Sequence, residues 1–175
     1  MDSQKYVFHS VTALTAVAVG QPGHRTFYIV AGEGESWVRI WLEKEELVGL
    51  SSIIDEMLQT IVQGGHYTPL KDADREPEIL FEPALQPAAD FKLGRLALGY
   101  DEARDCIGLF AYSPDAQGDS PTVVCWVTRA QAFTLSERID EVCASGRPIC
   151  ALCGGPIDPE GHVCPKSNGH GPRAL

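Results

Sequence analysis

The chain has 175 residues, 44% hydrophobic and 22% charged, which is enough for one packed core with or without a small accessory module. Its formal net charge of −10 is uneven: residues 1–146 hold 11 basic and 22 acidic side chains, whereas residues 147–175 hold Arg147, Lys166 and Arg173 against Asp158 and Glu160. An acidic body repels nucleic acid and anionic membrane at long range, and no apolar run reaches the roughly 18–20 residues that span a bilayer.

The longest apolar stretch, Val11 to Val19, is interrupted by Thr12 and Thr15. It also lacks the basic flank of a signal peptide, so a soluble, cytoplasmic protein without membrane insertion is expected. Val11–Val19 is the first expected strand and Thr26–Ala31 the second, with Gly20, Pro22 and Gly23 punctuating a hairpin between them. Gly32–Glu35, the GEGES turn, leads into a third strand at Trp37–Leu42. Alternation there puts Val38, Ile40 and Leu42 on one face and Arg39 and Trp41 on the other. Connections this short exclude parallel crossovers and favour an antiparallel meander.

A helix follows. Leu47, Leu50, Ile54, Leu58 and Ile61 recur at steps of three and four, Glu43, Glu45 and Glu46 crowd the N-terminal end, and Gly64 and Gly65 supply a stop. Residues 66–89 change character. Pro69, Pro77, Pro83 and Pro87 fall among acidic side chains, which reads as a linker, with Ile79–Phe81 as its apolar anchor.

The second half repeats this order. Phe91–Gly99 is an expected strand, Tyr100–Asp105 a polar turn, and Cys106–Tyr112 and Thr122–Val127 the next two strands. Thr128 and Gln131 have capping-box spacing for a helix carrying Ala132, Leu135, Ile139 and Val142, which Gly146 and Pro148 end. Shifted by 85 positions, Val38–Leu58 and Val123–Cys143 share 7 of 21 residues, including Trp41/Trp126, Ser51/Ser136 and Asp55/Asp140. Ordinary composition gives roughly one or two such identities. The expected fold is therefore α+β: duplicated βββα units in residues 1–146, with halves 1–65 and 90–146 joined by linker 66–89, plus a small zinc knuckle in the tail, residues 147–175.

The tail carries the clearest chemistry. Cys150 and Cys153 form CxxC before a glycine, and His162 and Cys164 form HxC eight residues later. Three thiolates and an imidazole make a soft tetrahedral set suited to zinc, and four protein ligands make the zinc structural rather than catalytic. His170 is the rival for a ligand position. Elsewhere the candidates are plainer. His24 and Arg25 at the first hairpin could meet an anionic ligand or a partner loop. Asp55/Glu56 and Asp140/Glu141 diverge by about 100° on their helices and read as solvated faces. Trp41 and Trp126 are expected to pack a seam between the halves, and Cys106, Cys125 and Cys143 to be small buried residues.

The segments PGHRTF at Pro22–Phe27, LEKEELVGL at Leu42–Leu50, LGRLALGYDEARD at Leu93–Asp105 and CALCGGPIDPEGHVCPKSNG at Cys150–Gly169 together resemble a bacterial family of uncharacterised proteins with a C-terminal CxxC…HxC tail. The resemblance spans essentially the whole chain and implies no assigned activity. Members of that family are often encoded near phosphomutase-like and lipid-kinase-like proteins. Three functional readings follow: a non-enzymatic interaction or adaptor protein with a protein partner, an enzyme or enzyme subunit in phosphoryl or nucleotide metabolism, and nucleic-acid binding through Lys166, His170 and Arg173. The acidic body argues against the last.

Overall fold

A computed structural model describes residues 5–65, 67–76, 86–116, 119–144, 146, 150–155, 157 and 161–166. The expected anchor at Ile79–Phe81, and both His170 and Arg173, lie outside the described residues. The elements run β1 (Tyr6–Phe8), β2 (Ala13–Gln21), β3 (His24–Glu33), β4 (Ser36–Leu42), α1 (Lys44–Gln63), β5 (Ala89–Lys92), β6 (Arg95–Asp101), β7 (Cys106–Tyr112), β8 (Val123–Thr128) and α2 (Arg129–Ala144). The fold is α+β, with an antiparallel meander followed by a helix in each half. Among the described residues no helix is long and apolar enough to cross a membrane.

Phe91–Gly99 is not one strand. The chain leaves one sheet and enters the other at Leu93–Gly94: Leu93 N–H donates to the Trp41 carbonyl at 2.7 Å, and Gly94 N–H to the Tyr112 carbonyl at 2.8 Å. A Cβ on Gly94 would lie 2.8 Å from the Pro114 nitrogen, so only glycine lets the two backbones approach so closely. β5 therefore pairs in parallel with β4 of the first half, and β1, which the sequence pattern did not announce, pairs in parallel with β8 of the second. Each half lends its opening strand to the other's sheet. The resulting orders, β2-β3-β4-β5 and β6-β7-β8-β1, match element for element.

The helices form as their patterns require. Glu43 N–H donates to the Glu46 carboxylate at 2.7 Å at the start of α1, and Thr128 and Gln131 cap α2 reciprocally at 3.0 and 3.1 Å. The left-handed Gly65 (φ 87°) follows the end of α1. One core joins the inner faces of both sheets to the two helices: Val38, Leu47, Ile54, Ile107, Val123, Val127, Leu135 and Ile139 are all fully buried.

The helices meet through a polar pair rather than an apolar one. Ser51 and Ser136, both buried, lie with their hydroxyls 3.0 Å apart. Ser51 donates to Asp140 at 2.8 Å, and Ser136 donates to Asp55 at 2.7 Å. Each carboxylate reaches across to the opposite helix, so every buried hydroxyl is satisfied. Glu56, Asp140 and Glu141 are exposed, as expected of solvated faces, and what the expectation lacked is the serine donor that Asp55 and Asp140 each find on the opposite helix. Two of the seven shared identities, Ser51/Ser136 and Asp55/Asp140, thus meet one another across the helix pair. Replacing both serines by alanine leaves two carboxylates without their donors. In a double-mutant cycle read by denaturant unfolding, the Ser51→Ala and Ser136→Ala costs are expected to be non-additive by about 1 kcal/mol. Strict additivity would mean that the contact contributes nothing.

Of the two tryptophans expected at a seam between the halves, Trp41 meets Asp90 of the second half, whereas Trp126 meets Phe110 and Arg104 of its own. Trp41 lies on the outer face of its sheet, edge-on to Tyr28 at 4.9 Å, with Arg39 5.0 Å from its ring. Its indole N–H donates to Asp90 at 2.7 Å, and Asp90 is ion-paired with Arg39, so together they hold the lent strand β5 against β4. That pairing draws the Asp90 carboxyl below its ordinary value, with the Arg39 hydrogen bond as the main cause. Trp126 similarly meets Phe110 at 5.8 Å and Arg104 at 5.4 Å. The described start of the linker lies along α2, where Arg75 pairs with Glu141 and Glu76 N–H donates to Thr134 Oγ1 at 2.8 Å.

Candidate metal centre

The CxxC segment closes as a tight turn. Gly154 N–H donates to the Cys150 carbonyl, and Cys150 N–H to the Gly155 carbonyl, both at 2.8 Å. Gly154 sits at φ 73°, where a side chain would be strained, and the turn leaves Gly155 N–H 3.4 Å from Cys153 Sγ. Backbone amides of Cys153 and Leu152 also point at Cys150 and draw its thiol down to about 6, which favours the thiolate that binds metal. After Gly161 (φ 92°) the chain returns His162 and Cys164 to the same point.

The four donor atoms of Cys150, Cys153, His162 and Cys164 lie within 4.8 Å of one another. Cys150 and Cys164 sulfurs are 3.8 Å apart, and Cys153 sulfur is 3.4 Å from His162 Nε2. A tetrahedron with metal–sulfur bonds of about 2.3 Å and a metal–nitrogen bond of about 2.0 Å has edges of about 3.8 Å between sulfurs and about 3.5 Å between sulfur and nitrogen. The residues therefore fit a tetrahedral metal ion. Cys150 and Cys164 are buried, whereas Leu152 (47% exposed) and Val163 (80% exposed) project outward between the ligands.

The other candidates are dispersed. His24 stands exposed at the tip of the β2–β3 hairpin. Arg25 turns back instead, donating to the Val142 carbonyl at 3.1 Å, where its charge meets the negative end of α2. Cys125 and Cys143 are buried, and burial pushes the Cys125 thiol up to about 12, far from nucleophile or ligand chemistry near neutrality. Cys106 is half-buried and donates to the Arg104 carbonyl at 3.4 Å.

One polar cluster had no counterpart in the sequence reading. Asp105, a non-glycine residue at φ 50°, accepts from Tyr100 hydroxyl at 2.8 Å and from Arg129 Nε at 3.0 and 3.3 Å. Arg129 in turn covers the Tyr67 ring at 3.9 Å. Burial, with the hydrogen bonds to Tyr67 and Asp105, raises the Tyr100 phenol above its ordinary value. The close spacing of Tyr100 and Asp105 in one turn was a weak local signal. Nothing in the sequence joined Tyr67 or Arg129 to them.

No curated protein and no solved structure matches the chain. A family model, described as "Protein of unknown function (DUF3090)", matches residues 6–164, from β1 through the last cysteine of the metal cluster. The chain belongs to that family, and its sheets, its helix pair and its Cys/His cluster all fall inside the matched region.

Proposed function

We propose that the protein is a zinc-binding interaction or adaptor protein, with the body as scaffold and the tail, residues 147–175, as the module that engages a protein partner. The observation that carries this is the closed Cys150–Cys153–His162–Cys164 set. Four convergent protein ligands leave a tetrahedral ion no open position for substrate, so the ion's part is to hold the tail in shape. Three sulfurs and one nitrogen favour zinc over hard divalent cations. The folded knuckle presents Leu152 and Val163 outward, side chains that a partner would cover. The test is quantitative affinity capture from native lysate using wild type, Cys150→Ser and the surface pair Leu152→Asp with Val163→Asp. A partner retained by wild type and lost from both variants supports the reading. A partner profile unchanged in the surface pair refutes it.

A further inference from the structure

An unpaired edge strand offers its backbone to further strands, and native proteins shorten, charge or cover such edges. Among the described residues the two sheets have four edges, and three are managed in these ways. β1 has three residues and β5 four, the latter carrying Asp90 and Lys92. β2 is longer, but α2 guards it: Gln131 donates to the Val11 carbonyl at 2.8 Å and Arg138 to the Ala16 carbonyl at 3.3 Å. The fourth edge, β6, has seven residues, no proline, and charges only at its ends, Arg95 and Asp101. Among the described residues only β7 pairs with it. Ile53, the counterpart of Arg138, has no side-chain donor, and α1 stands off from β6 across a cavity of about 510 Å³ lined by Ile53, Met57, Ile61 and Tyr100.

The strand registers fix which groups this edge presents. Tyr6 N–H donates to the Thr122 carbonyl at 2.8 Å, so Thr122, Val124 and Trp126 turn their backbone polar groups toward β1. The alternate residues Val123, Cys125 and Val127 turn theirs toward β7, where Leu109, opposite Cys125, exchanges bonds with it. Leu109 therefore has none to give β6, where it lies opposite Leu98. The N–H and C=O groups of Leu96, Leu98 and Tyr100 accordingly point out of the sheet, away from β7.

The edge is complementary to itself. Turned antiparallel about Leu98, a second β6 sets Leu98 opposite Leu98 and Leu96 opposite Tyr100, with their free N–H and C=O groups in bonding register. The same turn sets Arg95 opposite Asp101 of the second copy, and Asp101 opposite its Arg95, while Ala97 meets Gly99 without obstruction. Arg95 rests on the Tyr112 ring at 3.9 Å, which keeps it on the outer face that Asp101 shares. Within one chain the ion pairs of these two residues are loose: Arg95 stands 3.7 Å from Asp119, and Asp101 stands 4.0 Å from Arg104. We propose that the protein forms a homodimer by antiparallel β6–β6 pairing, which joins two four-stranded sheets into one continuous sheet about a twofold axis at Leu98. This surface lies apart from the metal ligands, and the dimer does not depend on the tail's role.

Sedimentation equilibrium of the full chain over a concentration series is expected to reach twice the 19.0 kDa chain mass. Arg95 is 57% exposed, so Arg95→Asp leaves the fold intact, as far-UV circular dichroism checks. That variant places like charges opposite one another at both ends of the paired strands and is expected to raise the dimer dissociation constant about tenfold. Adding Asp101→Arg to it reverses both pairs and is expected to restore dimerisation. Amide exchange of the wild type needs no variant: Leu96, Leu98 and Tyr100 are expected to gain protection as concentration rises, while Ala97 and Gly99, bonded to β7, do not change. A monomer at every concentration, a dimer indifferent to Arg95→Asp, absence of rescue by the double swap, or a dimer without protection at those three amides each overturns the proposal.

Discussion

Ile54→Asp is expected to abolish the native state at room temperature or to lower its thermal midpoint by more than about 10 °C. Ile54 is fully buried where α1 meets the shared core. Removing its side chain costs about 2–5 kcal/mol, and a carboxylate in its place adds the penalty of an unpaired buried charge. For a chain of this size each kcal/mol corresponds to about 2–4 °C. The neighbouring Ile53 supplies the control. It is 48% exposed, and Ile53→Asp is expected to melt within about 2 °C of wild type. Calorimetry of the two variants side by side checks the placement of the helix face. Equal melting of both would mean that the face is misassigned.

Removing the metal ligand set is expected to act on the tail and to spare the body. Wild type purified under reducing conditions should carry one equivalent of zinc, and Cys150→Ser should carry none, because three ligands no longer close the tetrahedron. Limited proteolysis of the variant, or of chelator-treated wild type, should then cut between residues 147 and 164. The midpoint of the body should stay within a few degrees of wild type. Alkylation at pH 8 gives a second readout: Cys150, Cys153 and Cys164 become reactive after chelation, while Cys125, buried with its thiol pushed up to about 12, stays unmodified. Wild type without metal, or a variant that retains it, would remove the basis for a zinc module.

The proportion of this architecture that was legible from the residues follows the range of the interactions involved. The meanders were readable because strand alternation and Gly20–Gly23 punctuation are local, and α1 and α2 because apolar steps of three and four and the Thr128/Gln131 cap are local. The metal cluster was readable for the same reason: its ligands span 15 residues and converge through two short turns. Phe91–Gly99 misled because its apolar pattern runs through the break. Only the close approach of Pro114 shows why Gly94 must turn the chain from one sheet to the other. β1 escaped notice because three residues carry no periodicity until β8 lies beside them.

The sequence by itself determined the order of the meanders and helices, the core faces of both helices, the acidic body and the four Cys/His positions that converge as a candidate metal centre. Each of these is written in spacing or composition within a few turns of chain. Only the tertiary structure decided the reciprocal loan of β1 and β5, the Ser51–Ser136 contact with its crossed carboxylates, and the cavity between α1 and β6. These depend on residues some 50 to 120 positions apart, such as Arg39 with Asp90 and Arg25 with Val142. Their chemistry exists only once packing has chosen which surfaces meet.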